Sequence, residues 1–456
     1  MPVSRLITEL SIPTIISMLI GSVYNMADTY FVGRLGTSAT GGVGVSFALM
    51  AVIQAIGFTL GMGSGNYVSR LLGQKDNEMA SHVAATGFYT ALIIGALFSV
   101  AGLVFLRPLA LMLGATQTIL PYAESYIRIL LLGVPFMMAS YVLNTLLRFQ
   151  GSAMYGMLGI SAGALLNIGL DPLFIFTFKM GTAGAALATV ISQFVSFCIL
   201  LWCCTRGSNI KIMPRNFMPK WSVYKEILYT GMPSFYRQGL ASISMIILNH
   251  SAGVYGDAAI AAISIVNRAF FFAFSIVLGF GQGFQPVCGF NYGAGKYDRV
   301  LQAFWFCVKL GTAVLIVLSV LGFLFAPQIV AIFRRDDPEV IQIGALALRL
   351  QSTVFPLQAW IVMCNMLMQN IGKSFKASLI AIARQGLFFI PVILVLPGII
   401  GLLGVQISQT ISDICTFILA LPLGRSVVME LKSMKNREHT TVDVSVEART
   451  MPEETI

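Results

Sequence analysis

The chain repeats its own pattern of glycines and prolines about 220 positions apart. Pro13 recurs as Pro233, and the match continues through Gly33/Gly253, Gly36/Gly256, Gly61/Gly281, Gly63/Gly283, Gly181/Gly401 and Gly184/Gly404. Glycine and proline fix backbone geometry rather than surface chemistry. Their recurrence in the same order therefore predicts two copies of one fold.

Composition places both copies in a lipid bilayer. Hydrophobic residues make up 57% of the chain and charged residues 11%, whereas soluble domains carry about 25% charged residues. Twelve apolar segments are each close to or above the roughly 20 residues that cross a bilayer as a helix. These segments cover 7–31, 39–66, 83–106, 122–147, 154–178, 183–205, 227–251, 259–289, 301–326, 343–369, 377–397 and 402–424.

The predicted fold is an all-α polytopic membrane protein with twelve transmembrane helices in two pseudo-symmetric six-helix lobes. An even number of helices in each copy keeps both copies in the same orientation, and such duplication is typical of transporters. We expect an N-lobe over 1–205, a cytoplasmic linker over 206–226, a C-lobe over 227–425 and a flexible cytoplasmic tail over 426–456.

Basic residues are concentrated on one side of the predicted bundle. With a cytoplasmic N-terminus, most of them fall in inner loops and at inner helix ends. The outer loops hold only Arg34, Arg107, Lys179, Arg334 and Arg335. This bias predicts that both termini are cytoplasmic. The net charge of +10 is therefore a topology signal and does not indicate a nucleic-acid partner.

Motifs of enzymes and metal sites do not emerge from the sequence. The seven cysteines and three histidines show no paired metal-ligand spacing, so no structural metal is predicted. The run Gly372-Lys373-Ser374 resembles the end of a phosphate-binding loop, but Leu367 stands where the leading glycine is required. We therefore predict that the chain is not an enzyme.

Three acids fall inside apolar segments, namely Asp28, Asp171 and Asp413. A carboxylate at membrane depth costs at least about 2.5–3.5 kcal/mol, so each of the three indicates a functional site. Asn167 lies one helical turn from Asp171, and Tyr24 one turn from Asp28. The depth expected for Thr189 and Tyr126 places them in the same layer.

Two carboxylates, an amide and hydroxyl groups in one layer suit a hard cation or a proton. A structural interpretation stays open for each acid, because a carboxylate can also satisfy backbone groups at a helix kink, and Asp171 precedes Pro172. For Asp413 the structural and functional interpretations have equal weight. Arg237 and Arg268 contact either Asp413 or an anionic substrate, or they lie near helix ends in a purely structural role.

Several of these residues belong to motifs that resemble a known family. The run from Pro13 through Tyr24-Asn25-Met26-Ala27-Asp28 to Gly33 resembles the first helix of the multidrug and toxic compound extrusion (MATE) family. Asn167-x3-Asp171-Pro172, followed by Ala185-x3-Thr189, is similar to the cation site of its N-lobe. The stretch Gly281-Gln282-Gly283-Phe284-Gln285-Pro286 resembles the eighth helix, particularly in the bacterial DinF/MepA-like branch.

The resemblance implies an antiporter of the bacterial cytoplasmic (inner) membrane, acting as a monomer, that exports amphipathic, often cationic drug-like compounds in exchange for Na⁺ or H⁺. Such proteins contribute to antibiotic resistance, and the coupling ion is the only cofactor implied. Residue by residue, the resemblance implies a cation site formed by Asp28, Asn167, Asp171 and Thr189 with the carbonyl of Ala185. It also implies a substrate cleft lined by Tyr24, Tyr126 and Asn144, and a hinge at Pro13.

One departure from the family pattern concerns the second lobe. Family members with a C-lobe carboxylate site carry a Glu on helix seven and an Asp on helix ten. Here helix seven reads Gly231-Met232-Pro233-Ser234-Phe235-Tyr236-Arg237-Gln238, and the segment 343–369 contains no acid. A C-lobe cation site of that kind is therefore not predicted.

A lipid-linked oligosaccharide flippase is the alternative function, since such flippases share the two-lobed architecture. They are expected to carry a cluster of arginines in the cavity, to which Arg237 and Arg268 bear some resemblance. The acidic layer in the N-lobe and the count of twelve helices favour the exporter.

Overall fold

The computed structural model describes residues 1–206, 210–334 and 337–450. Arg335, predicted in an outer loop, lies outside the described residues, as do 207–209 of the predicted linker and 451–456 of the predicted tail. Within the described ranges the chain is helical and contains no β-strand.

Six long helices form the N-lobe. They are α1 (Val3–Gly33), α2 (Thr37–Gly73), α3 (Asn77–Val104), α4 (Leu120–Phe149), α5 (Ala153–Pro172) and α6 (Gly181–Arg206). A π-helical turn over Leu173–Thr177 extends α5, and a short helix over Leu106–Met112 follows α3.

Six more form the C-lobe. They are α7 (Trp221–Gly253), α8 (Asp257–Gly293), α9 (Tyr297–Leu324), α10 (Pro338–Val354 with Leu357–Asn370), α11 (Ser374–Ile400) and α12 (Leu402–Thr450). The two parts of α10 are bent by 57° at a break beside Pro356. A π-helical turn over Ala383–Phe389 interrupts α11.

Length and apolar character agree with the predicted spans. Of the described helices, ten are long and apolar enough to cross a membrane, and the bent pair that forms α10 makes an eleventh. The twelfth, α7, has 33 residues but is more polar because it carries groups such as Glu226 and Arg237. The prediction of a twelve-helix, two-lobed membrane protein is confirmed.

Two equivalent glycines explain why the glycine pattern of the first lobe recurs in the second. Gly36 precedes α2 with a φ of 105°, and Gly256 precedes α8 with a φ of 98°. Residues that carry a Cβ atom rarely adopt a φ in this range, so glycine is the residue that permits each tight turn. The same turn therefore begins the second helix of each lobe.

The lobes contact each other at one end of the bundle, which we call the inner end because α1 begins there and α2 ends there. Helix α1 packs against α8, and α2 packs against α7. A Cβ atom at Gly63 would overlap the carbonyl oxygen of Ile227, and one at Gly231 would overlap that of Thr59. The backbones thus approach so closely that glycine is required at these crossings.

Polar groups join the lobes at the same end. The Arg70 guanidinium forms an ion pair with Glu226 at 2.5 Å. The Thr230 hydroxyl donates to the carbonyl of Gly63 at 3.1 Å, and the Ser69 hydroxyl donates to that of Pro286 at 3.2 Å. The structure is therefore closed at its inner end.

The last helix continues beyond the predicted end of the C-lobe. In α12, Glu430 forms an ion pair with Lys373, and Lys435 forms one with Asp298 at 2.6 Å. The tail boundary predicted at 426 consequently lies inside a helix, and the flexibility of the tail stays a prediction.

Candidate functional site

A cavity of about 430 Å³ lies between the lobes. It is lined by helices of both lobes, and it follows α1 from Thr14 to Asp28, which is about 21 Å along a helix axis. Its lining mixes polar with apolar side chains. The apolar ones include Met18, Phe47, Met50, Phe58, Met157 and Phe271, and the polar ones include Ser17, Ser22, Ser46, Ser140 and Gln193.

Two buried carboxylates lie in the N-lobe, and one of them lines the cavity at the end away from the inner end. Asp28 on α1 is 6% exposed, and Asp171 near the end of α5 is fully buried. They are close enough to interact electrostatically. The Oδ1 atom of each has no hydrogen-bond partner among the described residues. Neither carboxylate forms an ion pair within that part of the chain.

Asn167 links one carboxylate to the neighbouring helix. With its amide nitrogen turned toward the carboxylate, it donates to Asp171 Oδ2 at 2.9 Å and accepts from the Thr189 backbone N–H at 3.2 Å. This orientation gives both ends of the amide a partner, so we adopt it. Ala185 is buried on α6 one turn before Thr189.

Two tyrosines complete the layer. Tyr24 and Tyr126 both lie beside Thr189 and within electrostatic range of Asp28 and Asp171. Both line the cavity, as does Asn144 on α4. The structure therefore brings together the residues predicted for the cation site and places the three predicted cleft residues on one cavity.

The proline predicted as a hinge lies inside a helix that is continuous from Val3 to Gly33. Pro13 is buried, and the Thr14 hydroxyl beside it donates to the Leu10 carbonyl at 2.8 Å. Proline lacks the N–H that would bond the carbonyl four residues earlier, so α1 is weakest at this point.

The position of Asp413 in the sequence suggests an isolated charge in the middle of a helix, but the structure gives this carboxylate two partners. Arg384 donates to its Oδ1 at 3.0 Å, and Gln409 donates to the same atom at 2.9 Å. Arg384 lies on the π-helical turn of α11, 29 residues away along the chain. Proximity in sequence gives no indication of this pair.

The two predicted C-lobe arginines are in different surroundings. Arg237 is half-buried and within electrostatic range of Arg384, whereas Arg268 is exposed on α8. Neither forms an ion pair with Asp413, whose arginine partner is Arg384. Of the alternatives left open for these two arginines, an ion pair with Asp413 is not formed among the described residues.

One basic residue of the cavity wall is not among the predicted site residues. Arg148, in the last turn of α4, is 4% exposed, lines the cavity and donates to the Gln282 side-chain oxygen on α8. A signal was present in the sequence, because Tyr141, Asn144 and Arg148 share one helix face at i, i+3 and i+7. All three line the cavity.

Comparisons with known proteins match this architecture. The MatE family profile matches the chain twice, over residues 13–173 and 233–395. The multidrug export protein MepA of Staphylococcus saprophyticus is 29% identical over 405 residues, which cover 88% of this chain and 89% of that protein. MepA of Staphylococcus aureus (strain MSSA476) is 28% identical over 417 residues, which cover 90% and 91%.

Solved structures agree over nearly the whole chain. A MATE structure in complex with MaL6 has a TM-score of 0.90 at 28% identity, covering 95% of this chain and 98% of that one. An outward-facing multidrug resistance MATE family transporter of the MOP superfamily has a TM-score of 0.89 at 28% identity, covering 95% and 97%.

Twelve membrane helices in two lobes around a shared polar cavity define a multi-pass membrane transporter. Because the MatE profile covers most of both lobes, the chain belongs to the MATE family, and its similarity to MepA supports the MepA-like branch. Members of this family are transporters, so the prediction that the chain is not an enzyme is confirmed. The comparisons do not favour a lipid-linked oligosaccharide flippase.

Proposed function

We propose that the protein is a secondary active multidrug efflux antiporter of the bacterial cytoplasmic membrane. It exports amphipathic, often cationic compounds in exchange for Na⁺ or H⁺, with both termini in the cytoplasm. The observation that carries the proposal is a pair of buried carboxylates without a basic partner among the described residues: Asp28 lies on the cavity wall, and Asp171 lies behind it within electrostatic range. Relatives named multidrug export protein support the substrate class.

Physical chemistry explains why such a pair would bind a cation. Removing a carboxylate from water is expensive unless a positive charge compensates for it, and two adjacent carboxylates add repulsion. A sodium ion or a proton entering from the outer side offsets both costs. Hard oxygen ligands suit sodium, and Asp28, Asp171, Asn167, Thr189 and the Ala185 carbonyl supply them.

Coupling would arise because the ion and the substrate prefer different states of the same helix. Binding of the ion neutralises Asp28 on α1, and α1 then bends near Pro13 and narrows the cavity beside it. The substrate leaves to the outside, the lobes rock, and the ion leaves to the cytoplasm. Exchange of this kind requires only that each ligand binds the two states with different affinities.

Efflux from proteoliposomes tests the proposal. A cationic dye is loaded, and a Na⁺ gradient and a pH gradient are imposed separately to show which ion drives export. Asp28→Asn and Asp171→Asn should each abolish gradient-driven export, because a neutral amide supplies no negative charge to balance a bound cation. The control is Asp257→Asn, which changes an exposed acid at the start of α8 and should leave export unchanged. Undiminished coupled export by both variants would refute the acidic site.

A further inference from the structure

A second polar cluster lies toward the inner end of the cavity. Arg148 at the end of α4 donates through Nη1 to Gln282 Oε1, and its Nη2 lies 3.2 Å from Met62 Sδ. Its Nε has no hydrogen-bond partner among the described residues. No acid in that part of the chain forms an ion pair with this guanidinium group, although 96% of the residue is shielded from solvent.

Neighbouring charges increase the electrostatic cost of this arrangement. Arg237 lies within electrostatic range of Arg148 and also of Arg384. Among the described residues, the carboxylate that forms an ion pair with one of these three arginines is that of Asp413. Its Oδ1 lies 3.0 Å from Arg384 Nε. Of these three neighbouring guanidinium groups, Arg384 thus has a carboxylate partner and the other two have none among the described residues, and a buried cation without a counter-charge is destabilising. The cluster therefore has an excess of positive charge that an anion would offset.

The cavity wall beside Arg148 carries further hydrogen-bonding groups. Gln238 on α7 donates to the side-chain oxygen of Gln54 on α2 at 2.6 Å, and both line the cavity together with Arg148 and Gln282. The two side-chain amides can exchange this hydrogen bond for hydrogen bonds to a ligand. A guanidinium group with flanking amide donors is the arrangement that recognises a carboxylate, often through two parallel hydrogen bonds.

A purely structural link between the lobes would be built differently. At the inner end, Arg70 pairs with an acid, Glu226, and the two charges compensate each other. Arg148 also bridges the lobes, but its partner Gln282 is neutral and leaves the charge of the guanidinium uncompensated. The difference favours a binding role for Arg148 over a role as a latch.

We propose that Arg148 and Gln282 bind the carboxylate of an amphipathic substrate whose apolar part lies in the remainder of the cavity. Zwitterionic and anionic amphiphiles are then accepted in addition to cations. The inference rests on the proposed function, since it takes this cavity as the export route. Because Thr14 and Asp28 are about 21 Å apart along α1, the carboxylate and the coupling ion would occupy opposite ends of the cavity.

A matched pair of dyes tests this site. Rhodamine 110 carries a free carboxylate, and rhodamine 123 is its methyl ester, so the two differ at the group that Arg148 would bind. Binding to the detergent-solubilised full-length protein is measured by fluorescence polarisation. Arg148→Gln should weaken rhodamine 110 binding about tenfold to a hundredfold and leave rhodamine 123 binding within about twofold of wild type.

Two further variants complete the design. Arg148→Lys keeps the charge but loses the bidentate fork, so its affinity for rhodamine 110 should lie between those of wild type and Arg148→Gln. It also provides a readout if the glutamine variant does not fold. Arg268→Gln removes an exposed C-lobe arginine and should change the binding of neither dye.

Failure of the inference can be told apart from failure of the proposed function. Equal losses for both dyes, unchanged binding of both, or no binding of rhodamine 110 by wild type would overturn the carboxylate site. Export is measured separately as wild-type efflux of rhodamine 123 from proteoliposomes. Absence of gradient-driven efflux together with Arg148-dependent binding of rhodamine 110 would overturn antiport and support the site.

Discussion

Gly73 at the end of α2 and Gly293 at the end of α8 pack reciprocally across the two lobes. A Cβ atom at Gly73 would overlap the carbonyl oxygen of Phe290, and one at Gly293 would overlap that of Arg70. Since 73 and 293, like 70 and 290, differ by 220, each contact is the pseudo-symmetric copy of the other. The sequence repeat is thus realised as a two-fold contact that closes the inner end.

Gly73→Ala should open the inner end. The added methyl group overlaps backbone, which cannot rotate away as a side chain can, so we expect a destabilisation of the closed state by about 2 kcal/mol. That corresponds to about a thirtyfold change in the ratio of closed to open molecules. Spin labels at cysteines replacing the exposed Lys75 and Lys296 report the separation of the lobes at this end.

The matched control for this variant is Gly33→Ala, because a Cβ atom at Gly33 meets no atom within 4 Å. It should leave the distance distribution between the two labels unchanged. An unaltered distribution in Gly73→Ala itself would show that the glycine contact does not hold the lobes together.

Asn167→Leu should weaken binding of the coupling ion while retaining some transport. The amide positions the Asp171 carboxylate and ties it to Thr189, and loss of such a supporting contact typically costs about tenfold to a hundredfold in affinity. The measurement is the concentration of the driving ion that gives half-maximal dye efflux. Gln193→Leu, on the α6 part of the cavity wall, is the control and should leave this concentration within about twofold of wild type. Equal effects of the two variants would argue against a specific role for Asn167.

Pro13→Ala should slow export about tenfold if bending of α1 is required for the cycle. Alanine restores the N–H that proline lacks and so strengthens the helix at this point. Pro233→Ala provides the comparison, because Pro233 is buried at the equivalent position of α7. That variant should export faster than Pro13→Ala, since α7 carries no carboxylate of the acidic layer. Indistinguishable initial rates of efflux would count against the hinge.

Removing either Asp413 or Arg384 alone should destabilise the C-lobe by about 3–5 kcal/mol, because each change leaves a buried charge without its partner. The double variant Asp413→Asn/Arg384→Gln should recover much of this loss. Chemical unfolding of the purified protein in detergent gives the three free energies of unfolding. Strictly additive losses would show that the two residues do not act as a pair.

The fold was largely predictable because its determinants are local. Apolar length identifies membrane helices one segment at a time, and the turn glycines Gly36 and Gly256 recur wherever the same backbone geometry recurs. The acidic layer could be predicted from the sequence for a related reason. Charges at membrane depth are costly, so Asp28 and Asp171 stand out from an apolar background without any knowledge of the tertiary structure.

The basic cluster was harder to predict because its contacts are long-range. Arg148 and Gln282 are 134 residues apart, and the residues of the Arg384–Asp413 pair lie on different helices. An arginine in the last turn of a membrane helix also fits the usual excess of positive charge on the cytoplasmic side. Only the packing of α4 against the other lobe distinguishes the buried Arg148 from a flanking charge.

The size of the cavity bears on the stoichiometry of transport. About 430 Å³ lies near the lower end of the range that encloses one drug-sized molecule. Two such molecules would not fit together, so each turnover would carry a single molecule of cargo. Initial efflux rates should then rise hyperbolically with dye concentration, and a sigmoidal dependence would require a second binding place elsewhere on the protein.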